Sequence, residues 1–175
     1  MKTVFHVILI LVLISQTARA QDIKVYENAV QSVSDRIRYK LPVDSLGIYV
    51  ITFLNSTGRE IALGRVLKGD LDSRLKSYRK QPFHVVSRGA IDHILEELEI
   101  EENGLTDPAT ASQFGRLSNV RYLVTGDIFP WMGNLKWRVN VLNVETGELM
   151  KSMDVLIAAN GDLLNLYNEE IERID

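Results

Sequence analysis

Near Val120 the hydrophobic residues change their spacing, and that change divides the chain into two kinds of architecture. Beyond it, Leu135, Trp137, Val139 and Val141 alternate with Lys136, Arg138 and Asn140, while Met153, Val155 and Ile157 alternate around Asp154. A period of two buries one face of each strand and leaves the other wet. Val120 to Phe129 reads as the strand that opens this meander. Glu145-Thr146-Gly147-Glu148 reads as a turn, with Gly147 free to take positive φ.

Before Val120 the period is helical. Ile23, Tyr26, Val30, Val33 and Ile37 form a stripe from Asp22 to Lys40, with Arg36, Arg38 and Lys40 near its end, where cations suit the helix dipole. Pro42 closes that helix. Leu46 to Leu54 is nearly continuous and β-rich, as in a strand covered on both faces. Asn55-Ser56-Thr57-Gly58 then turns into a second helix carrying Leu63, Leu67, Leu71, Leu75 and Tyr78, ended by Lys80-Gln81-Pro82.

Phe83 to Val86 predicts a short strand, and Ile91, Ile94, Leu95 and Leu98 a third helix. Asp107-Pro108 is an N-cap with proline at the first helical position. The helix it opens carries Ala111, Phe114 and Leu117. A last helix bears Leu163, Leu166, Tyr167, Ile171 and Ile174, with Asp162 as its cap. The order α-β-α-β-α-α-β-β-β-α implies an α/β (α+β) fold: a mixed sheet of about five strands flanked by helices.

The first twenty residues decide the expected compartment. Lys2 precedes an apolar run from Val4 to Ile14, and Ala18-Arg19-Ala20 places small residues at positions −3 and −1 of a cut before Gln21. The run is shorter than the ~20 apolar residues of a spanning helix. The reading is therefore a signal peptide over 1–20, an N-terminal helix and linker over 21–45, and one domain over 46–175. No transmembrane segment is expected after cleavage. There is no cysteine, which excludes disulfides, thiol catalysis and lipidation at position 21. The formal charge is −3, from 20 basic and 23 acidic residues, and losing Lys2 and Arg19 makes the remainder more acidic. Nucleic acid is not an expected partner of such a surface.

No catalytic constellation stands out. His84 and His93 make no H-x-x-x-H pair for zinc, and the glycines form neither G-x-G-x-x-G nor a phosphate loop. There is no G-x-S-x-G elbow. Glu96, Glu97, Glu99, Glu101 and Glu102 follow one another around a helix end and are read as a solvated face. The expectation is no enzyme, no metal and no cofactor.

The unusual stretch is Phe129-Pro130-Trp131-Met132-Gly133-Asn134, read as the connection between two strands. Phe129, Trp131 and Met132 are the candidate interaction residues, because large apolar side chains at a tip suit a protein interface or a sugar contact. The competing reading is that Trp131 folds back over the sheet edge.

From Phe83-His84-Val85-Val86-Ser87-Arg88-Gly89-Ala90 through Leu98, the sequence resembles the CsgG/FlgO/LpoB group of bacterial envelope proteins, which is similar in layout to the amino-terminal domain of TolB. The resemblance continues at Gly104-Leu105-Thr106-Asp107-Pro108-Ala109-Thr110-Ala111, Gly115-Arg116-Leu117, Tyr122-Leu123-Val124-Thr125-Gly126 and Asn143-Val144-Glu145-Thr146-Gly147-Glu148, spanning about 46–158 in order. Ser87 stands where the group commonly has Asp. The resemblance implies a periplasmic accessory or assembly domain, associated with the outer membrane in some members, acting through envelope protein partners. Its members serve secretion, surface-structure assembly or wall synthesis. A glycan- or small-ligand-binding module is the alternative, and homo-oligomerisation is left open.

Overall fold

Leu63, Leu67, Leu71 and Leu75 are all fully buried in the computed structural model, which describes residues 23–41, 47–78 and 83–170. They line one side of α2 (Ala62–Lys76), as a four-residue spacing requires. Pro42, Lys80-Gln81-Pro82, Ile171, Ile174 and the leader expected over 1–20 lie outside the described residues.

The helix α1 covers residues 23–40. Its stripe is buried at Val30, Val33 and Ile37, whereas Ile23 at the open end is exposed. Strand β1 (Gly47–Val50) is buried at every position and lies between β3 (His84–Val85) and β4 (Val120–Trp131), parallel to both. β4 then pairs antiparallel with β5 (Asn134–Asn143), and β5 with β6 (Leu149–Ala158). The six-stranded sheet has the order β3-β1-β4-β5-β6, with β2 (Leu54–Asn55) beside β4.

The continuous strand expected over 46–54 is broken in two. Val50 pairs with Val124 but Leu54 with Asp127, so Ile51, Thr52 and Phe53 stand opposite only Thr125 and Gly126. The extra residue is a bulge that re-aims side chains. Ile51 joins one hydrophobic cluster, Phe53 joins the other, and Thr52 turns to a polar partner.

Those clusters occupy opposite faces of the sheet. Ile48 and Val50 of β1 pack with α1, α2 and Trp137, with Leu163 and Leu166 of α5 (Gly161–Asn168) against them. Tyr49 packs with Ile94 and Leu95 of α3 (Asp92–Glu97) and Phe114 of α4 (Pro108–Ser118). Leu117, placed on the buried stripe by spacing, is exposed: α4 packs through Ala111 and Phe114, and its last turn lies outside the cluster. Asp107 caps α4 as expected, accepting the Thr110 N–H at 2.9 Å. The cap of α5 is Asn160 rather than Asp162: its Oδ1 accepts the Leu163 N–H at 2.9 Å, which leaves Asp162 within the first turn.

Candidate functional site

The stretch read as a six-residue connection is almost all strand. Phe129, Pro130 and Trp131 belong to β4 and Asn134 to β5, with Trp131 paired to Asn134. Only Met132 and Gly133 turn, at φ 48° and 74°. Positive φ at both central residues matches the right-handed strand twist, so the ladder runs to the tip. The glycine was visible in the sequence; the non-glycine Met132 in the left-handed region was not.

Side-chain alternation sends Phe129 and Trp131 to the same sheet face. Trp131 is 43% exposed and Met132 85% exposed, while Phe129 is half-buried. The Lys136 ammonium lies 5.8 Å from the Phe129 ring centroid and 3.8 Å from that of Trp131, and the Arg138 guanidinium lies 5.0 Å from Phe129. Asp154 on β6 is 3.5 Å from Lys136 and 3.4 Å from Arg138, with Asp127 a further 3.9 Å from Arg138. Cations and aromatics therefore interleave, and carboxylates balance the charge. The hydrophobic cluster under α3 and α4 reaches Leu123 on β4 and goes no further, so the hairpin end of this face is uncovered by it.

A second constellation lay hidden in the acidic run. Glu96, Glu97, Glu99 and Glu101 are exposed as expected, but Glu102 is buried at 7% exposure. After α3 the chain enters a 3-10 helix (Glu102–Thr106), which carries Glu102 inward. Its Oε1 accepts hydrogen bonds from Tyr49 Oη and Lys68 Nζ; its Oε2 accepts from Thr52 Oγ1 at 2.9 Å and Arg88 Nη1 at 3.2 Å. Burial pushes the carboxyl pKa up, but the Lys68 charge and the hydrogen bonds from Lys68, Tyr49 and Thr52 outweigh it and hold it low. Burial and the neighbouring Glu102 charge push the Tyr49 phenol well up, so it stays a donor.

With both oxygens engaged, Glu102 has no free face toward a substrate. The arrangement ties β1, α2, the Arg88 turn and the 3-10 helix together.

His84 and His93 are exposed on β3 and α3 respectively. Among the described residues no three His, Asp or Glu side chains converge as metal ligands, and no helix is long and apolar enough to cross a membrane. An open groove of about 450 Å³ runs between α1 and α2, where Tyr26 Oη donates to Asp70 at 2.6 Å.

A mixed sheet that is parallel in its first half, antiparallel in its second and layered by helices on both faces defines an α+β domain with a protruding hairpin. The chain belongs to the family of the curli production assembly/transport component CsgG, which it matches over residues 31–137. Its structure is similar to the LpoB C-terminal domain from Escherichia coli, with a TM-score of 0.64, 16% identity, and coverage of 76% of this chain and 98% of that one. The corresponding domain from Salmonella enterica gives 0.61 and 14% at the same coverage. Lipoprotein GNA1162 from Neisseria meningitidis gives 0.51 and 9%, covering 69% of this chain and 88% of that one. At these identities the likeness is one of fold. No curated protein matches the chain in a sequence search.

Proposed function

We propose that this is a non-enzymatic exported envelope protein: a periplasmic accessory or assembly domain that acts through protein–protein contacts at the β4–β5 hairpin. The observation carrying the reading is the exposure of Trp131, the last residue of β4, and of Met132 in the two-residue turn that follows it. The Trp131 indole, already in contact with Lys136, has little conformational freedom to lose on binding, and a few large residues usually carry the affinity. Membership of the CsgG family and the LpoB-like fold support the envelope setting. The sequence of the first twenty residues supports export. The full engagement of Glu102 supports a structural rather than a catalytic role for this buried carboxylate.

The neighbours of the aromatic pair also bear on the kind of partner. Lys136, Arg138, Asp127 and Asp154 surround them, and Lys136 already occupies one side of Trp131. A glycan platform offers a clear aromatic face rimmed by neutral amides, so the charged rim favours a protein.

The test is a crosslinking pull-down from intact cells, comparing wild type with Trp131→Ala/Met132→Ser and recording both melting temperatures. The expected result is loss of one envelope partner with little change in melting. Unchanged capture at unchanged stability removes the hairpin as the contact. A large fall in melting temperature instead assigns the pair to covering the sheet.

A further inference from the structure

Strand β6 closes one edge of the sheet. It is ten residues long, is paired to β5 on one side, and among the described residues nothing pairs with its other side. It also carries exposed Leu149, Met150 and Leu156. Long apolar edges of this kind are ordinarily blunted by short length, proline or several charges, since their free N–H and C=O groups accept another strand. Here Lys151 and Asp154 are the only charges, there is no proline, and a single bulge at Met150 near the start of the strand leaves the edge regular from Lys151 onward.

We infer that β6 pairs with β6 of a second copy, antiparallel and centred on Met153, so that two sheets join into one. Joining two edges by a two-fold axis normal to the sheet keeps each face on its own side. Opposite residues must then share a face, so the axis lies midway between the two copies of one residue, which oppose each other directly.

That condition leaves few registers, and the charges choose among them. Centred on Asp154, the carboxylate would oppose its own copy, and like charges directly opposite are destabilising. Centred on Ser152 or Val155, Asp154 would oppose Met150 or Leu156, setting a charge against an apolar side chain. Centred on Met153, Asp154 meets Ser152 of the second copy, whose hydroxyl can donate to it. Lys151 meets an apolar residue in each of the four registers, Met153, Val155, Ile157 or Ala159, so it does not choose among them; here it meets Val155, and the regular ladder ends there because the β5–β6 register skips Met150. Asp154 gains a hydrogen-bonding partner in this register alone among the four, which favours a second copy over an unrelated strand.

The proposal is independent of the hairpin contact. It is tested by sedimentation velocity of the purified protein across a wide concentration range, on wild type, Ser152→Lys and Ser152→Asp. Both substitutions are readable because Ser152 is exposed, so folding is spared. The expected result is a concentration-dependent mass of twice one chain, tightened by Ser152→Lys, which faces Asp154 across the seam, and weakened by Ser152→Asp. A protein that stays single at every concentration overturns the proposal. So does a dimer that both variants weaken or neither variant alters, since those outcomes belong to another register or another surface.

Discussion

The Lys136 ammonium rests 3.8 Å from the centroid of the Trp131 ring, across the β4–β5 ladder. The contact orients an otherwise projecting indole, and Lys136 itself is largely covered. Replacing Lys136 with Ala should cost about 0.5–1 kcal/mol, the range of a partly exposed cation–π pair. It should also make Trp131 more accessible to a soluble fluorescence quencher. Trp137 is fully buried, so the quenchable signal reports Trp131. Unchanged quenching would show that Lys136 does not hold the ring.

Removing the charge of Glu102 should be costly. Glu102→Gln leaves Lys68, itself mostly buried, without its counter-charge. A broken buried pair costs about 3–5 kcal/mol. Chemical denaturation of the variant and wild type measures it.

The same carboxyl gives a pH dependence with a defined sign. Its pKa in the folded state is below its ordinary 4.5, so its stabilisation is present above about that pH and is lost as pH falls through the folded value. Asp72 acts oppositely, because burial raises its pKa, Lys76 and Lys68 offsetting this only in part. The stability gap between wild type and Glu102→Gln should therefore be wide at neutral pH, begin to close near pH 4.5, and narrow further as pH falls through the lower folded value. A gap that is constant with pH would contradict the assignment.

Gly64 should not tolerate alanine, although alanine favours a helix by about 1 kcal/mol over glycine. A β-carbon there would stand 1.8 Å from the backbone carbonyl oxygen of Phe53. The bulged segment cannot swing away like a side chain, so overpacking should win, with a net loss of about 1–3 kcal/mol. A melt of Gly64→Ala that matches or exceeds wild type would show that α2 shifts freely.

Leu67 and Leu95 are buried in different clusters on opposite faces of the sheet. Truncating either to Ala should cost about 2–5 kcal/mol. Because they share no cluster, the double variant should equal the sum within about 0.5 kcal/mol. Strong non-additivity by denaturant titration would mean that the sheet transmits packing changes between its faces.

Much of this architecture follows from short-range pattern. The Leu63–Leu75 stripe, the alternation in β5 and the Asp107-Pro108 start of α4 all depend on residues within a turn or two of each other. Periodicity there reports the side of an element, and burial follows. Where contact geometry narrows, the same rule overreaches, as at Ile23 and Leu117. The candidate hairpin residues were legible as an anomaly of composition, but their strand pairing was not, since it required Met132 to adopt positive φ.

By itself the sequence determined the order of helices and strands, the change from crossovers to a meander, and which side of each element is apolar. The tertiary structure alone decided what polar residues meet. Lys68 and Tyr49 reach Glu102 across 34 and 53 residues of chain, and Thr52 reaches it because the sheet holds a bulge. A charged residue on the polar side of its helix has the same local spacing whether water or a buried carboxylate awaits it. Which of these it meets depends on how distant elements pack, and the desolvation and pairing energies that settle the matter exist only once they have.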